Sequence, residues 1–100
     1  MTKKQITDQD RVLEVIDETN PEALYPTDMK KAIIGYVERF GQPPLILLDR
    51  EKCINILIRG GIKSREDAEE YFEFNTIGAG MGENTPCFAT LTKTLRKYRF

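Results

Sequence analysis

Proline and glycine cut this chain into short segments, and that punctuation limits what it can fold into. Pro21, Pro26, the run Gly41-Gln-Pro-Pro44, the pair Gly60-Gly61 and the stretch from Gly78 to Pro86 leave no room for a long helix or for the apolar run of a membrane span. Between these breaks each segment carries its own apolar pattern, so the chain reads as short helices and strands sharing one core. At 100 residues, 40% apolar and 31% charged, it fits a single domain, residues 1–100, with no room for a second core.

Arg11 to Glu18 places Val12, Val15 and Ile16 on one side and acids on the other, behind a Thr7-Asp-Gln-Asp10 capping signal, and Asn20-Pro21 closes this first helix. Lys31 to Phe40 is rich in β-branched and aromatic residues and reads as a strand, joined through Gly41–Pro44 to a second strand, Leu45–Leu48. Asp49 caps a helix with Cys53, Ile54, Leu57 and Ile58 on its apolar side, stopped at Gly60-Gly61. Ser64-Arg-Glu-Asp67 starts another helix, with Ala68, Tyr71 and Phe72 inward, and Cys87–Thr92 reads as a third strand. The order αββααβ predicts an α+β fold: a small two-layer domain with a roughly three-stranded antiparallel sheet against two or three helices. Residues 1–9 are expected to be flexible and residues 91–100 to form a basic tail, strand or helix. The expected core sets Ile54, Leu57, Ile58, Tyr71 and Phe72 against Ile34, Tyr36, Leu47 and Phe88.

The residue inventory removes several chemistries. Histidine is absent and Ser64 is the only serine, which excludes imidazole bases, Ser-His and Cys-His nucleophile pairs and His-containing zinc sites. Cys53 and Cys87 form no Cys-x-x-Cys motif and read as structural thiols in a reducing compartment. The opening residues lack a signal-peptide pattern, so the expected location is the cytoplasm. The formal net charge of −1 gives no whole-molecule attraction to nucleic acid or anionic lipid, so any such attraction must be local.

Three stretches, Ala32–Gly35, Asp49-Arg-Glu-Lys-Cys-Ile-Asn-Ile-Leu57 and the long run from Glu69 to Phe88, Glu-Glu-Tyr-Phe-Glu-Phe-Asn-Thr-Ile-Gly-Ala-x-Met-Gly-Glu-Asn-Thr-Pro-Cys-Phe, together resemble a widespread family of small proteins encoded by bacteriophages and prophages. The resemblance covers roughly residues 20–88 and is most specific from Phe72 to Phe88. It implies a phage or mobile-element origin, hence the cytoplasm of a bacterial host, and it carries over no biochemical activity. Relatives of this kind often end soon after the Thr-Pro-x-Phe strand, so the basic tail from Lys93 is a departure.

Four features could carry function. The glycines Gly78, Gly80 and Gly82 have neither dinucleotide-binding nor P-loop spacing and serve best as a tight reversal between Phe74 and Phe88, both expected to face the core, with at least one glycine at positive φ. Glu73, Asn75, Glu83 and Asn84 bracket that turn; their bland role is local hydrogen bonding, and with the three glycines they form the expected partner-binding site. The acids Glu66, Asp67, Glu69, Glu70 and Glu73, with Glu83, read as a solvated face; the alternatives are a proton-sharing or divalent-ion site at the i, i+4 pairs Glu66/Glu70 and Glu69/Glu73, or a patch that binds a basic partner or mimics nucleic-acid phosphates. The tail residues Lys93, Arg96, Lys97, Tyr98 and Arg99 offer phosphate contact with aromatic stacking, against the commoner role of a solubilising edge or oligomer contact. Leu91, Leu95 and Tyr98 would make that tail an amphipathic helix.

The expected function is thus a non-enzymatic phage or mobile-element protein that binds a host or phage macromolecule and modulates host defence or replication. A protein is the expected partner, without membrane, metal or cofactor. The alternative is a nucleic-acid-binding accessory protein using the tail. An enzyme would need Glu73 and Glu83 to converge with a lysine or tyrosine in a closed cavity.

Overall fold

The computed structural model describes residues 5–77 and 82–99, with side chains as far as Arg96. Helix α1 (Asp8–Thr19) leads through a 3-10 helix (Thr27–Ala32) into strands β1 (Ile33–Arg39) and β2 (Gln42–Asp49). Helices α2 (Arg50–Arg59) and α3 (Arg65–Asn75) follow, then a short 3-10 turn (Gly82–Asn84), strand β3 (Cys87–Ala89) and helix α4 (Thr92–Arg99). The architecture is α+β, as the sequence predicts, and the tail is helical. Helix α1 begins inside the segment expected to be flexible, at Asp8.

Local capping chemistry sets the helix starts. Thr7 and Asp10 form a reciprocal capping box at 3.1 Å each way, and the Asp10 carboxylate also accepts from Lys30 Nζ at 2.7 Å. Asp49 accepts from the Glu51 backbone N–H at 3.0 Å, and Ser64 from that of Asp67 at 3.1 Å.

The sheet departs from expectation twice. Strand β1 pairs antiparallel with β2 across the two-residue turn Phe40-Gly41, where Gly41 has φ 71°. The third strand, β3, lies parallel to β2, Leu48 opposite Phe88, so the sheet is mixed and not antiparallel. The reason is the connection: α2 and α3 cross over between the two strands and return the chain to run in the same direction.

The second departure is a matter of face. Ile33 pairs with Leu48 and Gly35 with Leu47, so β1 advances two residues where β2 advances one, and Ile34 is the extra residue of a bulge. Ile33 is 1% exposed and its neighbour Ile34 36%. Burial along β1 alternates from buried Ile33, so Ile34 and Tyr36, expected in the core, are exposed, and Ile33, Ile46 and Leu48 take their place. Near the turn the mismatch is reversed: Val37 pairs with Leu45 and Arg39 with Gln42, leaving an extra residue on β2 at Pro43-Pro44. Arg39 spans this gap by donating to the Pro43 carbonyl at 2.7 and 2.9 Å.

The core gathers Ile16, Met29, Ile33, Ile46, Leu48, Cys53, Ile54, Leu57 and Ala68 around Phe72, whose ring meets Phe88 edge-on at 5.0 Å. On α1, Val12 and Leu13 pack against this cluster and Val15 is exposed. Ile58 and Leu47 are half-buried, as is Phe88, while Tyr71, expected inside, is exposed.

Gly82 holds φ 80°, the positive value expected within the glycine run. No atom would meet a Cβ there, so the backbone alone penalises a side chain. Gly82→Val is expected to lower stability by about 1–2 kcal/mol, against roughly 0.5 kcal/mol or less for Glu66→Gln or Glu70→Gln. Thermal melts of the three variants check this, and equal tolerance would contradict it.

Candidate functional site

Ion pairs decide which charges on α2 and α3 remain available. Arg50, at the start of α2, lies over the Phe72 ring at 5.2 Å from its centroid and pairs with Glu73 at 2.6 Å. Arg65 grips Glu51 with both terminal nitrogens, at 2.6 and 2.9 Å, and reaches Glu69 at 2.8 Å through Nε. Glu69 and Glu73, a pair weighed as an ion site, therefore turn to different cations. Among the described residues Glu66, Asp67 and Glu70 have no ion-pair partner.

On the outer side of α3 a groove of about 310 Å³ is lined by Asp67, Glu70, Tyr71, Phe74 and Asn75. Phe74 is 74% exposed and Tyr71 46%. Phe74 was expected to face the core, but it lies two residues beyond Phe72, about 200° around a helix whose inward line is Ala68 and Phe72, and so points outward. Asn75 donates to the Tyr71 carbonyl at 3.3 Å, the local bond expected of it.

The residues after the turn have other work. The Asn84 carboxamide oxygen accepts from buried Asn20 at 3.1 Å, and its backbone carbonyl accepts from the Leu24 N–H at 3.0 Å. Asn20 donates to the Pro44 carbonyl as well, at 2.9 Å, so Asn84 belongs to a part-buried clamp joining the end of α1, strand β2 and the 3-10 turn. Glu83 is exposed, and neither it nor Glu73 lines the groove on α3. Gly82 closes a small turn through the Thr85 hydroxyl at 2.6 Å. Gly78 and Gly80 lie outside the described residues. On α4, Lys93 and Arg96 are exposed, and the side chains of Lys97, Tyr98 and Arg99 lie outside the description.

Sequence reasoning missed a second surface. Thr27, Asp28, Lys30 and Lys31 from the 3-10 helix face Ile56 and Arg59 of α2 across a cavity of about 410 Å³. An adjoining cavity of about 250 Å³ shares Lys31, Ile56 and Arg59 and adds Lys52 and Asn55. The half of this trough that was visible in advance is the spacing Lys52, Asn55, Ile56, Arg59, one stripe on a helix.

No protein-family model, curated protein or solved structure matches the chain.

Cys53 is fully buried, and burial, reinforced by the negative charges of Asp49 and Asp28, pushes its thiol up to about 12. A thiol held that high stays protonated and unreactive through neutral pH. Titration with a thiol reagent near pH 8 is expected to modify half-buried Cys87 first and Cys53 only on unfolding; rapid modification of both in the folded protein would contradict it.

Proposed function

We propose that this chain is a binding protein, not an enzyme, that docks on another protein through the outer face of α3. One observation carries the reading: Tyr71 and Phe74 stand exposed side by side, bordered by Asp67 and Glu70, on a helix whose opposite face is fixed by Phe72 and Ala68. A rigid helix presenting aromatic anchors beside acids suits an apolar groove with a basic rim. Fully burying a phenylalanine is worth about 1.5–3 kcal/mol, enough to pin a partner at one point. Glu73 and Asn75 flank this face, whereas Asn84 contributes to the fold. The resemblance to phage and prophage proteins supports a partner of host or phage origin and a role in modulating host defence or replication.

Affinity purification from bacterial cells producing the tagged protein, at low salt, followed by mass spectrometry tests the proposal. The expected result is a specific partner whose recovery falls tenfold or more with Phe74→Ala, about 1.4 kcal/mol or above, while the melting temperature stays unchanged. The reading fails if no specific partner is retained, or if Phe74→Ala and Tyr71→Ala both keep it.

A further inference from the structure

The trough between the 3-10 helix and α2 is independent of the α3 face and differs from it in charge. Lys31, Lys52 and Arg59 are exposed and, among the described residues, have no ion-pair partner. Arg50 and Arg65 are held within the α2–α3 pairs, and Lys30 is tied to Asp10. That Lys30 bond, with those from Thr7, holds the Asp10 carboxyl well below its usual range, and Lys30 is thereby paired. Of the four cations lining the trough, the other three, Lys31, Lys52 and Arg59, share one continuous concavity, since the two cavities have Lys31, Ile56 and Arg59 in common.

We propose that this trough binds the phosphodiester backbone of a nucleic acid, with Lys31, Lys52 and Arg59 on successive phosphates and Asn55 as a neutral donor between them. The shape favours a linear polyanion: Lys52 and Arg59 are seven residues apart on one helix, about 10 Å along its axis, too far to serve one point charge. Arg59 brings a planar fork suited to phosphate oxygens, and Ile56 gives an apolar floor for the sugar edges. Asp28 lines only the larger cavity, which directs the strand toward the Lys52 end. The acids on α3 and the net charge of −1 restrict contact to this strip. The proposal assigns nucleic-acid contact to a surface other than the basic tail.

Fluorescence anisotropy with a labelled single strand and its duplex, across a salt series, tests this on the full chain. Three phosphate contacts predict a log–log salt slope of about −2.1 for a single strand to about −2.7 for a duplex, or roughly 20- to 40-fold weaker binding between about 50 and 200 mM salt. Joint replacement Lys31→Ala, Lys52→Ala and Arg59→Ala is expected to weaken binding more than tenfold and flatten the slope, with the thermal melt unchanged because all three are exposed. Replacing the tail cations Lys93, Arg96, Lys97 and Arg99 by alanine is expected to keep most of the binding. Phe74→Ala should bind nucleic acid normally, which separates this outcome from that of the α3 proposal. The inference is overturned if neither strand nor duplex binds, if the tail variant loses binding while the trough variant keeps it, or if poly-glutamate competes as well as nucleic acid at equal charge.

Discussion

Phe72 is the joint on which the rest of the molecule turns. Its ring meets Phe88 of β3 edge-on, lies under the Arg50 guanidinium of α2, and is fully buried from α3. Strand β3 is three residues long and pairs in parallel, so its ladder bonds are few, and Phe88 against Phe72 gives it a side-chain anchor. Arg50 in turn pairs with Glu73, the residue after Phe72. Once Phe72 faces inward, Phe74 has to face outward. The exposed aromatic face of α3 thus follows from the packing of the core.

What could be read in advance was local. The caps at Thr7, Asp49 and Ser64 depend on residues within three positions of one another, and all three form as their spacing predicts. The order of helices and strands followed from the same short-range patterns. The buried face of the hairpin did not: burial along β1 alternates from Ile33, and the adjacent β-branched pair Ile33-Ile34 gives no sign of which of the two faces inward. The direction of β3 was equally hidden: it depends on how α2 and α3 cross the sheet, a tertiary matter.

The surface divided along the same line. The acids of α3 were visible as a group, but Glu73 finds its partner at Arg50, 23 positions earlier, and so belongs partly to the fold. Asn84, expected to bond locally, instead meets Asn20 from 64 positions away. The exposure of Phe74 was available from helical spacing alone, given Phe72 inside; the pull of two aromatic residues toward one core obscured it. The trough was not available, since Lys31 comes beside Lys52 and Arg59 only when the 3-10 helix packs on α2.

A net charge near zero conceals how the charges are sorted. Where α2 and α3 meet, Arg50 pairs with Glu73, and Arg65 with Glu51 and Glu69, so that boundary is electrostatically closed. The exposed pairs, Arg50–Glu73 and Arg65–Glu69, contribute about 0–1 kcal/mol each, too little to account for the fold. Their larger consequence is what they leave over: cations in the trough beside the 3-10 helix, acids with two exposed aromatics on the outer face of α3. These surfaces respond differently to ionic strength. Contacts made through Lys31, Lys52 and Arg59 are screened as salt rises, whereas burial of Phe74 and Tyr71 depends on apolar area and persists. One small chain thereby carries two surfaces that salt can separate: core packing decides which face of each helix is left for solvent, and the ion pairs decide which charges there stay unpaired.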